Sequence, residues 1–387
     1  MRTLCENMES GMRNKLFVII LGILIVFLSG CVANQPMVNN PNTEFSRTTK
    51  QKLDIALENI RADNDVPAMS IGIIEGGRIY YQKGFGLEAS EHIVTGSTKF
   101  RVASITKLFT AQAVMQLVEN GKLSLDDDVG KYLPEFNGKN ISILELMTHH
   151  SGLKDRIKPK KVRSLASIQN YFKRSIDKQR KLKKSFKYAD LNFNMLGAIV
   201  AKVSEKSYPD YINSHILMPL KLSNTGFIQL SNAFFPDVEP YINGWILRKA
   251  SQRPFDPSFA PSEGLVTTTN DLLTWLAATL SQDEKLLQTK TYQQMLIPRK
   301  NTEWGKIKMG LGWQLYSNEH GKVIQHAGSV MGVKALLIAY PDIQRGIVIL
   351  SNADELPRWD IANSINKILK SKHNQSLQSM AQKTRLK

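Results

Sequence analysis

A serine and a lysine three positions apart are the first residues whose types and spacing could do chemistry. Ser104 and Lys107 end the stretch 100–107, and apolar residues follow at helical spacing. This predicts that Ser104 lies at or near a helix N-terminus, with the Lys107 amine on the same face. A serine that gives up its proton is a nucleophile, and a helix N-terminus favours the negative charge of attack. The pair therefore indicates acyl transfer; the alternative is an N-cap followed by a solvated lysine.

Two later stretches form an ordered set with this pair. They are Tyr188-x-Asp190, before a predicted helix, and His326-x-Gly328, on a predicted strand. Together the three stretches resemble the motifs of the serine β-lactamase and penicillin-binding protein superfamily. The resemblance is to the class C-like subgroup, which includes DD-peptidases, D-amino-acid peptidases and esterases. It covers residues from about 50 to 370 and includes the stretches 146–153, 264–272 and 310–313.

The resemblance implies a role for each of these residues. Ser104 would be the acyl-accepting nucleophile, and the backbone N–H groups of Ser104 and Ser329 would form the oxyanion hole. Gly328 would let a substrate backbone lie close to the strand edge. Tyr188 and Lys107 would share proton transfer, because a phenol needs a nearby cation before it can act as a base at neutral pH.

Two positions depart from the best-known family pattern. Asp190 stands where many relatives have Asn; a carboxylate about 4 Å from Lys107 would stabilise the ammonium by ~4 kcal/mol, or ~3 pKa units. We therefore expect a charged Lys107 that tunes and positions Tyr188, while Asp190 itself raises the pKa of Tyr188. His326 replaces a lysine that pairs with a substrate carboxylate, and a histidine is mostly neutral at pH 7. Both changes disfavour β-lactams and favour esters or peptides.

The elements that must position these residues follow from hydrophobic periodicity. Residues 53–60 have the pattern of an amphipathic helix, and the apolar runs 68–75 and 78–85 flank Gly76-Gly77 as a hairpin. Helical patterns dominate from about 140 to 300. Strand-like runs return at 323–325, 335–340 and 347–350, before a helix with apolar residues from 361 to 369. The prediction is an α/β (α+β) fold with an inserted all-α domain. The resemblance makes the sheet antiparallel and flanked by terminal helices.

The N-terminus has the pattern of an export signal. Basic residues precede an apolar run at 16–28, which ends in Leu-Ser-Gly-Cys31 and resembles a bacterial lipobox. The expectation is a signal peptide over 1–30, lipid attached to Cys31, and a flexible tether over 31–45; Met12 is an alternative start. An ordinary secretory signal with a chance cysteine is the other interpretation. By resemblance to Gram-negative sorting, Val32 favours the outer membrane over the inner one.

The domain prediction follows from these boundaries. A catalytic domain is expected over 46–370, with its α/β part at about 46–100 and 305–370 and a mostly helical part at about 101–304. A polar tail would occupy 371–387.

The net charge of +17 is concentrated in one segment. Segment 154–187 holds fourteen Lys or Arg residues against two Asp residues, so it carries twelve of the excess charges. Three interpretations stay open: a solvated charged face, an electrostatic funnel for acidic substrates, and a patch that holds the domain against anionic lipid. No nucleic-acid-binding motif accompanies the charge, so we expect no nucleic-acid partner.

We expect neither a metal nor a cofactor. The seven histidines include the adjacent pair His149 and His150 but no His-Glu-x-x-His, and loop packing is the simpler role for that pair. The predicted function is a serine hydrolase that acts through an acyl-enzyme on Ser104. Its partner would be a small-molecule or peptide substrate: a D-amino-acid peptide, a peptidoglycan-type amide or a small ester. The alternatives are a β-lactamase and a non-catalytic envelope protein that keeps the fold for binding.

Overall fold

The computed structural model describes residues 41–157, 167–179, 182–228, 234–247 and 256–370, except for the side chains of residues 41–47. The chain divides into the units Met1–Thr48 and Thr49–Lys387, and the fold below is that of the second. The predicted signal peptide, Cys31 and the polar tail lie outside the described residues. The tether prediction was wrong in its last part, because a helix begins at Pro41. Proline suits the first turn of a helix, where its missing N–H is not needed.

The body of the fold is an antiparallel sheet, as predicted, and it has eight strands. Its order is β2-β1-β13-β12-β11-β10-β9-β8. Its strands are β1 (Ala68–Glu75), β2 (Arg78–Gly86), β8 (Lys300–Asn301), β9 (Lys308–Met309), β10 (Gln314–Asn318), β11 (Gly321–Val330), β12 (Val333–Tyr340) and β13 (Arg345–Ser351). The predicted hairpin is confirmed: Gly76 and Gly77 join β1 to β2 with φ of 59° and 75°, which suit the two-residue turn between twisted strands.

Alternating side chains place the sheet between two apolar layers. Along β13, Ile347 and Ile349 face one layer while Val348 and Leu350 face the other, as the period of a strand requires. The first layer is covered by helix α10 (358–370) and by residues 53–60 of helix α1 (Pro41–Asp63). These are the predicted terminal helices.

The other layer is covered by helices from the middle of the chain. They are α2 (Thr106–Glu119), α3 (Ile143–Met147), α4 (Ile168–Asp177), α5 (Asp190–Ser204), α6 (Tyr208–Ile212), α7 (Ala260–Glu263), α8 (Thr269–Ser281) and α9 (Thr289–Met295). The side chains of α2 are buried from Thr106 to Leu117, so this helix is enclosed on all sides. No helix among the described residues is long and apolar enough to cross a membrane.

The middle of the chain is not all helical, which corrects the prediction of an all-α insertion. It contains a three-stranded sheet in the order β3-β7-β4, formed by β3 (Phe100–Arg101), β4 (Gly226–Phe227) and β7 (Leu265–Thr267). A small hairpin pairs β5 (Tyr241–Ile242) with β6 (Trp245–Ile246). Buried backbone groups need hydrogen-bond partners, and pairing with β7 supplies them to the segment that enters the Ser104 turn.

Candidate active site

Ser104 lies on a tight turn between β3 and α2. Residues Ala103–Ile105 form one 3₁₀ turn, and α2 begins directly after it. Ala103 has a φ of 46°, in the left-handed region that residues other than glycine seldom adopt. Strained backbone of this kind is common where a functional side chain must be held in one direction. Neither element has a side-chain cap from its N-cap residue, so Ser104 is not serving as a helix cap.

Lys107 is fully buried and makes three hydrogen bonds. Its Nζ donates to Ser104 Oγ at 2.8 Å, to Asp190 Oδ1 at 2.7 Å and to the Ser262 carbonyl at 3.0 Å. An ammonium has three N–H bonds, so all of its donors are used. This arrangement excludes the solvated lysine and matches the predicted ion pair with Asp190.

The electrostatics of Lys107 agree with its contacts. Burial on its own would lower the pKa of Lys107, but the Asp190 carboxylate and the Tyr188 hydroxyl outweigh burial and raise the pKa above its ordinary value. Lys107 is therefore a permanent cation in the site.

Tyr188 lies beside this cation, in the loop before α5. Its ring centroid is 5.1 Å from Lys107 Nζ and 5.6 Å from the centroid of Trp304, a partly exposed residue at the site. Burial raises the pKa of Tyr188, Lys107 lowers it, and Asp190 raises it further; the interaction with Ser104 lowers it. The net direction is upward, as expected for a phenol whose helping cation is shared with a carboxylate.

His149 holds the backbone on both sides of Tyr188. Its carbonyl accepts the N–H of Lys187 at 2.8 Å, and its Nδ1 accepts the N–H of Ala189 at 3.3 Å. The His149 ring lies against the Tyr188 ring, with a centroid distance of 4.3 Å. His149, which was predicted to pack in a loop, thus packs against the loop that carries Tyr188.

A chain of hydrogen bonds fixes the tautomer of His149. Ser151 Oγ donates to Asn192 Oδ1 at 2.7 Å, so the Asn192 amide nitrogen is the group that lies 3.1 Å from His149 Nδ1. Nδ1 accepts, and the proton is therefore on Nε2. Burial, with Lys107 nearby, holds the pKa of His149 well below its usual value, so the ring is neutral.

Asp190 is the first residue of α5, and another carboxylate holds this end of the helix. Asp155 Oδ2 accepts the N–H of Asp190 at 2.9 Å, and Oδ1 accepts the N–H of Leu191 at 3.0 Å. The preceding residue, Ala189, has no side chain that could do this. Burial and the charge of Asp190 raise the pKa of Asp155.

His326 is fully buried on β11, and its ring centroid is 6.3 Å from that of Tyr188. Its Nδ1 lies 2.9 Å from the carbonyl of Ala327, which can only accept, so Nδ1 carries the proton. Its Nε2 is buried, with no hydrogen-bond partner among the described residues. Burial, then Lys107, lowers the pKa of His326 to about 3, so this histidine is a neutral acceptor.

Gly328 brings β11 against the Ser104 turn. A Cβ at this position would lie 2.1 Å from the carbonyl oxygen of Val102 and 3.4 Å from the Ala103 side chain. Glycine is therefore required by the protein's own packing, a reason that the motif did not reveal. The next residue, Ser329, is exposed and lies opposite Lys334, whose Nζ donates to Ser329 Oγ at 2.9 Å.

The structure thus brings together Ser104, Lys107, Tyr188, Asp190 and His326, and it places Gly328, with Ser329 next to it, against the Ser104 turn. Sequence reasoning missed the helix cap by Asp155, the carbonyl of Ser262 and the aromatic wall at Trp304. No local spacing marks these residues. Among the described residues no group of His, Cys, Asp and Glu could hold a metal ion.

The described part of the basic segment is partly paired. Lys184 lies 2.9 Å from Glu145, and Lys187 is paired with Glu303. Residues 158–166 and 180–181 lie outside the described residues, so the three interpretations of this segment stay open.

The fold and this site define a member of the Beta-lactamase family, and the chain belongs to it. The family model matches residues 53–368. Members of the family are usually serine hydrolases.

Individual relatives agree with this assignment. Protein flp of Staphylococcus aureus (strain N315) is 28% identical over 327 residues, which cover 80% of this chain and 64% of that protein. The putative penicillin-binding protein PbpX of Bacillus subtilis (strain 168) is 30% identical over 242 residues, 60% of this chain and 59% of that protein. The chain thus spans less than two thirds of the length of these relatives.

A solved structure is similar as well. The octameric penicillin-binding protein homologue from Pyrococcus abyssi matches with a TM-score of 0.69 at 28% identity, covering 83% of this chain and 77% of that one.

Proposed function

We propose that this chain is a serine hydrolase that forms an acyl-enzyme on Ser104. The observation that carries the proposal is the buried Lys107, which joins Ser104 Oγ to Asp190 with all three donors engaged. Because Ser104 Oγ accepts a bond from Lys107, its own proton is free to leave toward another group. Tyr188 is the titratable group that interacts with both Ser104 and Lys107.

The proton transfers assign a role to each group. Tyr188, as a phenolate beside the Lys107 cation, takes the Ser104 proton while Oγ bonds to the substrate carbonyl carbon. The carbonyl electron pair moves to oxygen, where the N–H groups of Ser104 and Ser329 would stabilise it. The leaving group departs with the proton from Tyr188. Water then attacks the ester by the same route and releases Ser104.

The charges around the nucleophile favour substrates without a carboxylate beside the scissile bond. His326 is neutral where relatives with a lysine have a cation, and Lys107 is neutralised by Asp190. Lys334, the cation at Ser329, lies 3.5 Å from Asp354. We therefore propose small neutral esters and D-amino-acid or peptidoglycan-type amides as substrates, with β-lactams, which bear a carboxylate, as poorer ones.

Intact mass tests the nucleophile. The mature domain is exposed to a fluorophosphonate and, separately, to penicillin. We expect one fluorophosphonate adduct in the wild type and in Ser97→Ala, because Ser97 is an exposed serine whose hydroxyl accepts a hydrogen bond from the Asn270 side chain. We expect none in Ser104→Ala. Absence of any adduct and any turnover in the wild type would favour the rival function, a non-catalytic binding protein.

Substrate profiling tests the finer proposal. Neutral p-nitrophenyl esters, D-alanyl amides and a chromogenic cephalosporin are compared by kcat/KM. The expected result is turnover of esters or D-alanyl amides well above that of the cephalosporin. A cephalosporin turned over faster than both would assign the chain to the β-lactamases instead.

We also propose that the chain is a lipoprotein of the cell envelope, attached to lipid through Cys31. The support is the sequence pattern alone. Metabolic labelling with palmitate and detergent-phase partition should be lost in Cys31→Ser. Fractionation would then show whether the labelled protein is in the outer or the inner membrane.

A further inference from the structure

The guanidinium of Arg358 lies against the peptide group that joins Gly328 to Ser329. Arg358 is the first residue of α10. Its Nη1 donates to the Gly328 carbonyl at 2.5 Å and, more weakly, to the Ala335 carbonyl at 3.3 Å. The sequence did not predict a hydrogen bond from a charged side chain to the carbonyl of Gly328 or of Ala335.

The geometry of a peptide unit gives this contact a direction. The described chain has no cis peptide bond, and in a trans unit the C=O and the next N–H point in opposite directions. Because the Gly328 oxygen points toward Arg358, the Ser329 N–H points away from it, toward the other edge of β11. The pairing of β10 with β11 stops at Gln314 opposite Gln325, so no described strand covers that edge at Ser329.

One face of β11 at Gly328 lies against the Ser104 turn. The site where a Gly328 side chain would lie is filled by the Val102 carbonyl and the Ala103 side chain, directly before Ser104. The Ser329 N–H therefore emerges beside the Ser104 turn, where the oxyanion would form.

We propose that Arg358 is a positioning residue that polarises the peptide group between Gly328 and Ser329 and so strengthens the Ser329 N–H as an oxyanion donor. This inference rests on the proposed acyl-enzyme at Ser104. A bond from a charged donor is stronger than a neutral one, and hydrogen bonds in series polarise one another. A cation behind the carbonyl thus makes the N–H in front of it more positive.

The lack of a counterion distinguishes Arg358 from a merely structural arginine. No ion pair joins Arg358 to a carboxylate among the described residues, so its field is not neutralised there. Arg345 lies in the same sheet and is the contrast: it pairs with Glu75 at 2.6 Å and donates to Asn366 at 3.0 Å. Arg345 is therefore the matched control.

An ester and its thiono analogue, in which sulfur replaces the carbonyl oxygen, form the decisive pair of substrates. Sulfur accepts hydrogen bonds poorly, so the oxo/thiono ratio of kcat/KM measures the oxyanion donors. In Arg358→Gln and Arg358→Met we expect kcat for the oxo ester to fall about tenfold, with KM little changed. The ratio should fall with it. Arg358→Lys keeps a charged donor, so it should retain most of the kcat for the oxo ester and most of the oxo/thiono ratio.

Arg345→Gln should lower the melting temperature and leave the ratio unchanged, because a loss of stability affects both substrates equally. If Arg358→Met does not fold, Arg358→Gln and Arg358→Lys decide. A ratio in Arg358→Gln equal to that of the wild type, with Ser104-dependent turnover intact, overturns this inference alone. No Ser104-dependent turnover in the wild type overturns the proposed function first.

Discussion

Lys107 donates to three oxygens, and this count bears on which residue can be the base. A neutral amine has only two N–H bonds and could not donate to all three. A charged Lys107 leaves Tyr188 as the proposed base, and the pKa of Tyr188 is raised by burial and by Asp190 despite the nearby cation. At neutral pH the rate is therefore limited by the small fraction of Tyr188 that is deprotonated.

The first prediction concerns the pH–rate profile of the wild type with a neutral ester. The active form of Tyr188 is deprotonated and its pKa is raised, so activity is lost as pH falls and keeps rising above about pH 8. His326, with its pKa lowered to about 3, does not titrate in this range. Stopped-flow or steady-state kcat/KM should show no inflection at about pH 6.5. A plateau reached through such an inflection would assign the base to a histidine.

The second prediction concerns Asp190→Asn. Asp190 raises the pKa of Tyr188, so its removal should shift the rising limb of kcat/KM to lower pH by about one unit. Asp210→Asn is the control: Asp210 is also in the first turn of a helix, but its partner is Ser207. Its profile should match the wild type. A shift of the Asp190→Asn limb to higher pH would contradict the stated role of the carboxylate.

At this scale the sequence predicts what local spacing and charge can encode. Ser104 and Lys107 share a helix face, and the Asp190 partner follows from a departure in one motif. Asp155 and Arg358 were not predictable, because their functions depend on backbone groups that only the folded chain brings near them. Glycine at 328 was predicted to make room for a substrate backbone. In the structure it makes room for the Val102 carbonyl, which a side chain at this position would meet.

At the scale of elements, β11 and the Ser104 turn approach each other more closely than a side chain allows. The third prediction follows: Gly328→Ala should move β11 away from Val102 and reduce the rate of Ser104 acylation at least about tenfold. A crystal structure and the fluorophosphonate labelling rate would measure the two effects. Labelling of Gly328→Ala at the wild-type rate would show that the close approach of β11 to the Ser104 turn is not needed for acylation.

Gly121→Ala is the control for that substitution. Gly121 has a φ of 67° with open space around its missing side chain. Alanine there should cost about 1 kcal/mol of stability through backbone strain, with no effect on labelling.

The fourth prediction concerns the cap of α5. Asp155→Ala removes the acceptor for the N–H groups of Asp190 and Leu191 and should cost about 1 kcal/mol of stability. It should also lower kcat, because it loosens the residue that pairs with Lys107. Ser142→Ala breaks the capping box of α3, away from Lys107, and should cost similar stability without changing kcat. Equal kinetic effects in both would mean that stability alone matters.

Elements were predictable where a period repeats. The two strands of the Gly76-Gly77 hairpin were predicted within one residue of their ends, whereas β3, β4 and β7 were missed. A strand of two or three residues shows no alternation, and its existence depends on the partner strand.

At the scale of the whole molecule, the sheet separates two apolar layers, only one of which contains the site. The fifth prediction uses helix α1, in the other layer. Leu57 is fully buried and Ile55 is 63% exposed. Leu57→Ala should lower the free energy of unfolding by about 3 kcal/mol, and Ile55→Ala by less than about 0.5 kcal/mol. Denaturant titration measures both, and labelling of Ser104 per folded molecule should be unchanged.

The architecture could be predicted because helix and strand patterns occur at both ends of the catalytic-domain sequence. Helix and strand patterns at 53–85 and 323–369 imply a shared sheet, and β1 beside β13 confirms this. The small sheets within the helical part were not visible from composition, because their residues lie between stronger helical signals.

The pairing of β1 with β13 also sets the order of events as the chain folds. Met69 pairs with Ser351, so the centre of the sheet cannot close until residue 351 has been synthesised. Loop closure over such a separation is slow. The turn and helix that carry Ser104 and Lys107 can form early from local contacts, but β11 reaches them late. A nascent or truncated chain that lacks β13 therefore contains Ser104 and Lys107 without the rest of the proposed site, and reaction of Ser104 with a substrate should appear only once β13 is in place.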